Sequence, residues 1–232
     1  MKIAVMQPYL FPYIGYFQLI NSVDKFIIFD DVNYIKKGWI NRNRILLNDQ
    51  EYTFTASLEK ASQNKLIRDI DLSKDARWKE DLLKTISIAY KKAPMFGTIY
   101  PLIRSIINNE ERNLSFYLSG SIEELCNYLN ISTKIIKSSV PYGTMPLKGM
   151  DKILEICKQE KADAYINPIG GLELYEKEVF KKQKIQLSFL KSAEITYRQN
   201  GNNFVPFLSI IDVMMFNEPG KISGLLDEFE LL

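Results

Sequence analysis

Lys2-Ile3-Ala4-Val5-Met6 leads into Gln7-Pro8-Tyr9-Leu10-Phe11-Pro12-Tyr13-Ile14-Gly15-Tyr16, and Lys25-Phe26-Ile27-Ile28-Phe29 closes on Asp30-Asp31. The first run is apolar and short, as a buried strand is; Pro8 and Pro12 punctuate a loop. Residues 14–23 then carry Phe17 and Ile20 at helical spacing, and 25–29 is β-branched and aromatic, a second strand. Strand, helix and strand in this order form a βαβ unit, which implies parallel strands joined by a right-handed crossover. Ligands of such sheets bind beyond the carboxyl ends of the strands. Residues 7–13 and 30–34 are both expected there.

The rest of the chain extends the pattern. A hairpin is expected from 45–47 and 52–57, and apolar residues at three- and four-residue spacing predict helices over 76–92, 96–108 and 114–129. Alternation then resumes: strand 134–137, helix 150–160, strand 164–166, helix 172–183 and strand 185–189. Two helices, 205–216 and 222–229, end the chain. No repeat or low-complexity linker interrupts it. The expectation is one α/β domain over 1–232, with a parallel-sheet, Rossmann-like core, a helical insert around 75–130 and C-terminal helices.

Composition removes several functions. The 232 residues are 46% hydrophobic and 25% charged, as in ordinary globular proteins. Thirty Lys+Arg against 28 Asp+Glu leave a net charge of +2, too balanced to favour a nucleic-acid partner. With 0 histidines, catalytic triads, Cys-His pairs, zinc proteases and imidazole bases are excluded. The 2 cysteines, Cys126 and Cys157, sit in helical patterns and read as buried thiols rather than a metal site or disulfide framework. No run reaches the ~18 apolar residues of a membrane span, and the N-terminus lacks the features of a signal peptide, so a cytoplasmic protein is expected. Proton transfer is left to Asp, Glu, Lys, Tyr or water.

Five groups of residues can carry chemistry. The loop with Gln7, Tyr9 and Tyr13 either roofs the core or offers a wall on which a base or sugar stacks. Asp30 and Asp31, adjacent carboxylates followed by Tyr34, are either turn acids paired with an arginine or a general base whose pKa the neighbouring charge raises. Trp39 with Asn41-Arg42-Asn43-Arg44 is a solvated basic strand edge or a phosphate site, since guanidinium forks suit phosphate and indole offers a stacking face. Lys148, and the run Tyr165-Ile166-Asn167-Pro168-Ile169-Gly170-Gly171, are an ordinary strand-to-helix loop or an anion site made of free amides. Asp212, in the apolar run after Phe204, needs a partner if buried: an internal arginine or a substrate amine.

Taken in order, these motifs resemble the WbqC-like family of bacterial polysaccharide gene clusters. The resemblance spans essentially the whole chain. It rests on Gln7-Pro8, Pro12, Gly15-Tyr16-Phe17, Asp30-Asp31-Val32, Trp39, Asn41-Arg42-Asn43-Arg44-Ile45, Tyr90, Ala93-Pro94, Phe96, Ser138-Ser139, Tyr165, Tyr175 and Phe204-Val205-Pro206-Phe207-Leu208-Ser209-Ile210-Ile211-Asp212. A weaker likeness of fold joins residues 7–20 to the opening βαβ of the HIGH-type nucleotidylyltransferases. There a His-x-Gly-His element precedes the first helix; here it is Tyr13-Ile14-Gly15-Tyr16. Neutral tyrosines stabilise charge on a reacting phosphate poorly, which argues against adenylyl transfer.

The resemblance implies an N-acyl- or aminoacyltransferase acting on the amine of a nucleotide-linked amino-deoxy sugar, in O-antigen or capsule biosynthesis. Asp31 or Asp30 would take the ammonium proton, and Asn43 or Tyr34 would orient the amine or the oxyanion. Arg42, Arg44 and Lys148 would meet the pyrophosphate, with Tyr9, Tyr13 and Trp39 against the base or sugar. Gln7, Tyr165, Asn167 and Asp212 complete the candidate contacts. No tightly bound cofactor and no metal ligand is expected; the donor is acyl-CoA, an acyl carrier protein or an aminoacyl donor. The rival readings are an ATP-dependent adenylyl-transferring enzyme and a non-catalytic nucleotide-sugar binding subunit.

Overall fold

The computed structural model describes residues 1–201 and 203–232. Strands β1 (Lys2–Met6), β2 (Lys25–Ile28), β7 (Lys134–Ile136), β8 (Ala164–Pro168), β9 (Gln186–Ser192) and β10 (Phe229–Leu231) form one sheet. Its spatial order is β10-β9-β8-β1-β2-β7. All neighbours are parallel except β10, which runs antiparallel to β9. Among the six strands in chain order this is the doubly wound arrangement 3-2-1-4-5-6, and its switch point falls between β1 and β8. The Rossmann-like core read from the opening residues is therefore present.

Period-two alternation decides which side chain goes to which face. Ala4, Phe26 and Ile28 join the larger core with α1 (Ile14–Asn21) and the C-terminal helices α7 (Ile210–Phe216) and α8 (Pro219–Leu226). Ile3, Val5 and Ile27 point the other way, onto α5 (Gly149–Gln159) and α6 (Lys177–Lys182). Helix α1 is enclosed on nearly every side, which its apolar composition allows. Its one buried amide, Gln18, donates to the carbonyls of Leu225 (2.8 Å) and Glu228 (3.0 Å) and so supplies acceptors at the end of α8 with partners. Between β2 and β7 lie the hairpin β3 (Arg42–Leu47) and β4 (Gln50–Thr55), the short pair β5 (Leu58–Glu59) and β6 (Asp71–Leu72), and helices α2 (Arg77–Tyr90), α3 (Phe96–Asn108) and α4 (Leu114–Tyr128). Both cysteines are buried free thiols whose pKa values burial pushes up to about 12. Among the described residues no helix is long and apolar enough to cross a membrane.

Three local expectations give way to packing. The helix expected over 172–183 breaks, because Tyr175 and Glu176 are extended. That lets the Tyr175 ring meet Tyr165 and Phe180 edge-on at 5.9 Å. The helix expected from 205 starts at Ile210: Pro206 disfavours helical backbone at Val205, Phe207 is left-handed (φ 58°), and Ser209 caps, its Oγ accepting from Ile211 N. The end of the last expected helix is instead edge strand β10, too short for alternation to reveal.

Candidate functional site

The loop after β1 is held from four directions, so its shape is fixed before any ligand arrives. The Tyr16 hydroxyl donates to the Gln7 carbonyl (3.0 Å), and Leu10 N donates to the Ile40 carbonyl (3.0 Å). Asn43 Nδ2 donates to the carbonyls of Leu10 (3.1 Å) and Phe11 (2.8 Å), while Ser209 Oγ donates to that of Phe11 (2.7 Å). Ile210 N closes the set on the Pro12 carbonyl (2.9 Å). Phe11, fully buried, is forced to φ 43° by this stitching. The loop ends on Tyr13, whose ring packs against Gly15; a β-carbon there would collide with its Cε2, Cζ and hydroxyl oxygen. Gly15→Ala is therefore expected to expel the Tyr13 ring from its seat. Unfolding free energy should change by no more than about 1 kcal/mol, since the added helix propensity offsets the weaker packing of the ring. NMR of labelled tyrosine would report the displaced ring, and an unmoved ring would show that this packing does not position it.

Two adjoining cavities meet at that ring. The smaller, about 170 Å³, is lined by Tyr9, Tyr13, Trp39, Asn43, Arg44 and Phe207. The larger, about 410 Å³, opens beyond the carboxyl end of β9 and is walled by Tyr13, Glu194, Tyr197, Phe204, Pro206 and Phe207, among others. Tyr13 and Phe207 belong to both and touch edge-to-face at 6.2 Å. Phe207 is 67% exposed on left-handed backbone, a conformation that costs energy in any residue with a side chain this large. Burial pushes the phenols of Tyr9 and Tyr13 up, with Tyr13 adding to the effect on Tyr9, so both remain protonated donors at neutral pH.

Strand alternation explains the basic wall. Along β3, Asn43 and Ile45 turn inward while Arg42 and Arg44 turn outward beside Trp39. Their guanidinium carbons stand 5.5 and 5.3 Å from the indole centroid, at cation–π distance. Arg42 donates to the carbonyls of Gly38 (3.1 Å) and Lys37 and so shapes the turn that carries Trp39. Arg44 pairs with exposed Glu51 through Nη1 (2.6 Å). Its Nε is buried and has no hydrogen-bond partner among the described residues.

Asp212 is fully buried behind the larger cavity. Its Oδ2 accepts from Tyr90 (2.7 Å), and its Oδ1 from Tyr197 (2.8 Å) and Gln199 Nε2 (3.0 Å). Burial raises its pKa, and those three hydrogen bonds pull the other way. The partner expected as an arginine or an amine is, in the folded chain, a pair of phenols and an amide. Gln199 also exchanges hydrogen bonds with Val205 in both directions, which ties the roof at 204–207 to this carboxylate.

Asp30 and Asp31 occupy a different place. Both are buried, and neither lines the two cavities. Asp30 accepts from Ser138 Oγ (2.8 Å), Ser139 N (3.0 Å) and Ser115 Oγ (2.8 Å). Asp31 accepts from the Ser139 hydroxyl and faces Lys152 Nζ at 2.7 Å, a charge contact whose angles fall short of a hydrogen bond. The same ammonium donates to the Asp31 carbonyl (2.8 Å). These bonds tie the carboxyl ends of β2 and β7 to α4 and α5.

The remaining candidates scatter. The Tyr34 hydroxyl donates to Asn41 Oδ1 (2.7 Å), buried under the hairpin. Tyr165 is fully buried, stacked on Phe180 at 5.6 Å, its hydroxyl 3.1 Å from Asn167 Oδ1. Asn167 Nδ2 donates to the Pro168 carbonyl (2.9 Å), so close to Gly171 that a β-carbon there would collide. Lys148 is exposed at the start of α5 and lines neither cavity, nor does Gln7. Among the residues the structure adds, Glu194 follows β9 with no motif around it. Phe207 stood inside the helix expected over 205–216, where the pair Ser209 and Asp212 carries the cap spacing that marks the true start, while Tyr197 and Phe204 lay outside any expected element.

Compared with known proteins, residues 7–223 match the model of the WbqC-like protein family. A protein of Mycobacterium tuberculosis named "Uncharacterized protein Rv1507c" is 29% identical over 219 residues, 93% of each chain. No solved structure matches. With the family model covering nearly its whole length, the chain belongs to the WbqC-like protein family.

Proposed function

We propose that this chain transfers an acyl or aminoacyl group to the amine of a nucleotide-linked amino-deoxy sugar, for an O-antigen or capsule polysaccharide. The observation that carries the reading is the Arg44 guanidinium, at cation–π distance from Trp39 and beside Tyr9 and Tyr13 in the smaller cavity. A nucleotide diphosphate offers both oxygens to a guanidinium and a ring to stack on the indole. The sugar then extends past Tyr13 into the larger cavity. The amine attacks the donor carbonyl, the leaving group departs with the electron pair of its bond to the acyl carbon, and the ammonium proton passes to a base or water. In this reading Asn43 holds the loop that carries Tyr13, while Asp30, Asp31 and Tyr34, engaged in internal bonds, lie outside the two cavities. The acyl donor is of the CoA, carrier-protein or aminoacyl class, and the protein works in the cytoplasm.

Adenylyl transfer is disfavoured by Tyr16, whose ring is fully buried and whose hydroxyl is committed to Gln7. A non-catalytic nucleotide-sugar carrier is the second reading, favoured by the absence of Asp30, Asp31 and Tyr34 from the cavity walls. The test is a thermal-shift and calorimetric series of nucleotide sugars with and without an amino group. Ligand at a hundred times its dissociation constant stabilises the fold by about 2.7 kcal/mol. Arg44→Ala is expected to weaken binding about tenfold, the loss of one charge-assisted hydrogen bond, with little change in stability. Unchanged affinity in that variant would remove the phosphate from this cavity. Binding without turnover on any donor class would select the carrier.

A further inference from the structure

The larger cavity has a charge character of its own. Two edge-to-face pairs, Tyr13 with Phe207 at 6.2 Å and Tyr197 with Phe204 at 5.3 Å, form its walls. No lysine or arginine is among its described lining residues, and Glu194, exposed, is the carboxylate on its rim. Behind Tyr197 lies Asp212, fully buried, with neutral donors on both oxygens and no cation within 4.0 Å among the described residues. A buried carboxylate is ordinarily compensated by a cation. The Tyr197 hydroxyl, polarised by that carboxylate, is the link between it and the cavity.

We propose that this cavity is a binding site for an organic ammonium group, held between aromatic faces with Glu194 at its rim and Asp212 supporting Tyr197 from behind. Aromatic faces attract cations through the ring quadrupole, most strongly where water is excluded. A phosphate or carboxylate would meet Glu194 at the rim and no lysine or arginine among the described lining residues. Resting on the transferase reading, this identifies the occupant as the amine-bearing sugar, held as its ammonium ion until Glu194 or water accepts the proton.

The test uses the intact chain and three probes of one shape: cyclohexylammonium, cyclohexanol and cyclohexanecarboxylate, titrated at pH 7 by ligand-observed NMR. The ammonium is expected to bind about tenfold more tightly than the alcohol, and the carboxylate more weakly than either. Glu194→Gln, at an exposed position, should abolish most of that preference while leaving the alcohol's affinity and the melting temperature unchanged. Tyr197→Phe, which cuts the link to Asp212, should lower ammonium affinity in the same direction. Equal binding of ammonium and alcohol, preference for the carboxylate, or no binding of any probe would overturn the proposal. Ammonium preference in a protein that transfers no acyl group would keep this site and remove the transferase reading. Transfer without that preference would do the reverse.

Discussion

Replacing Lys152 with methionine is expected to lower the unfolding free energy by about 3–5 kcal/mol, because it leaves Asp31 charged, buried and without its cation. The side chains of Lys152 and Asp31 are 5% and 0% exposed, so water cannot take over the role of the ammonium. Lys152 also donates to the Asp31 carbonyl and stands 5.2 Å from the Phe29 ring, so several interactions fail together. Methionine has nearly the same length and flexibility, which keeps the cavity term small. Urea unfolding of the wild type and the variant measures the difference. The double variant Lys152→Met with Asp31→Asn should regain a substantial part of the loss, since it no longer buries an unpaired charge. If Lys152→Met alone cost under about 1 kcal/mol, the pair would not hold the ends of β2 and β7 as described.

The sequence made the core legible because its signals there are local. Strand, loop and helix follow one another through residues 2–31, and alternation in β1 and β2 alone separates the residues of the two faces. The basic run at 41–44 was visible as charge, indole and a possible strand edge, with the hairpin strand expected only from 45. Its arginines share one face because the polypeptide pleats there, which the run Asn-Arg-Asn-Arg spells out once a strand is assumed. The partners of the carboxylates were not legible. Ser115 reaches Asp30 from 85 residues away and Lys152 reaches Asp31 from 121, distances at which no pattern in one chain speaks. The same holds for the cavities. Tyr13 and Phe207 meet because Ser209 is bound to Phe11 and to Arg44, a closure set by the β3 hairpin and the start of α7 together. A resemblance between families names residues; only the fold tells which of them share a wall.

Removing the carboxylate of Asp212 should be the next most damaging change. Asp212→Ala is expected to cost about 3 kcal/mol, because Tyr90, Tyr197 and Gln199 all lose their acceptor while relief from burying a charge offsets part of the loss. Gln199 would then be free to release Val205, so the roof over the larger cavity should loosen, detectable as faster amide exchange at 204–208. The carboxyl also sets a pH signature. Burial holds its pKa in the folded protein above the ordinary 3.8. Below that value both states keep the proton; between it and the raised native value only the folded state does. Wild type therefore loses stability relative to Asp212→Asn as pH climbs from about 4 through the native pKa, and the difference is flat beyond it. Other titrating groups are common to both proteins and cancel in the difference. A wild-type advantage that grew with pH would mean that the three donors outweigh burial. Asp212 would then already be stabilised as a carboxylate in the empty protein, with no need of a cation in the cavity beside it.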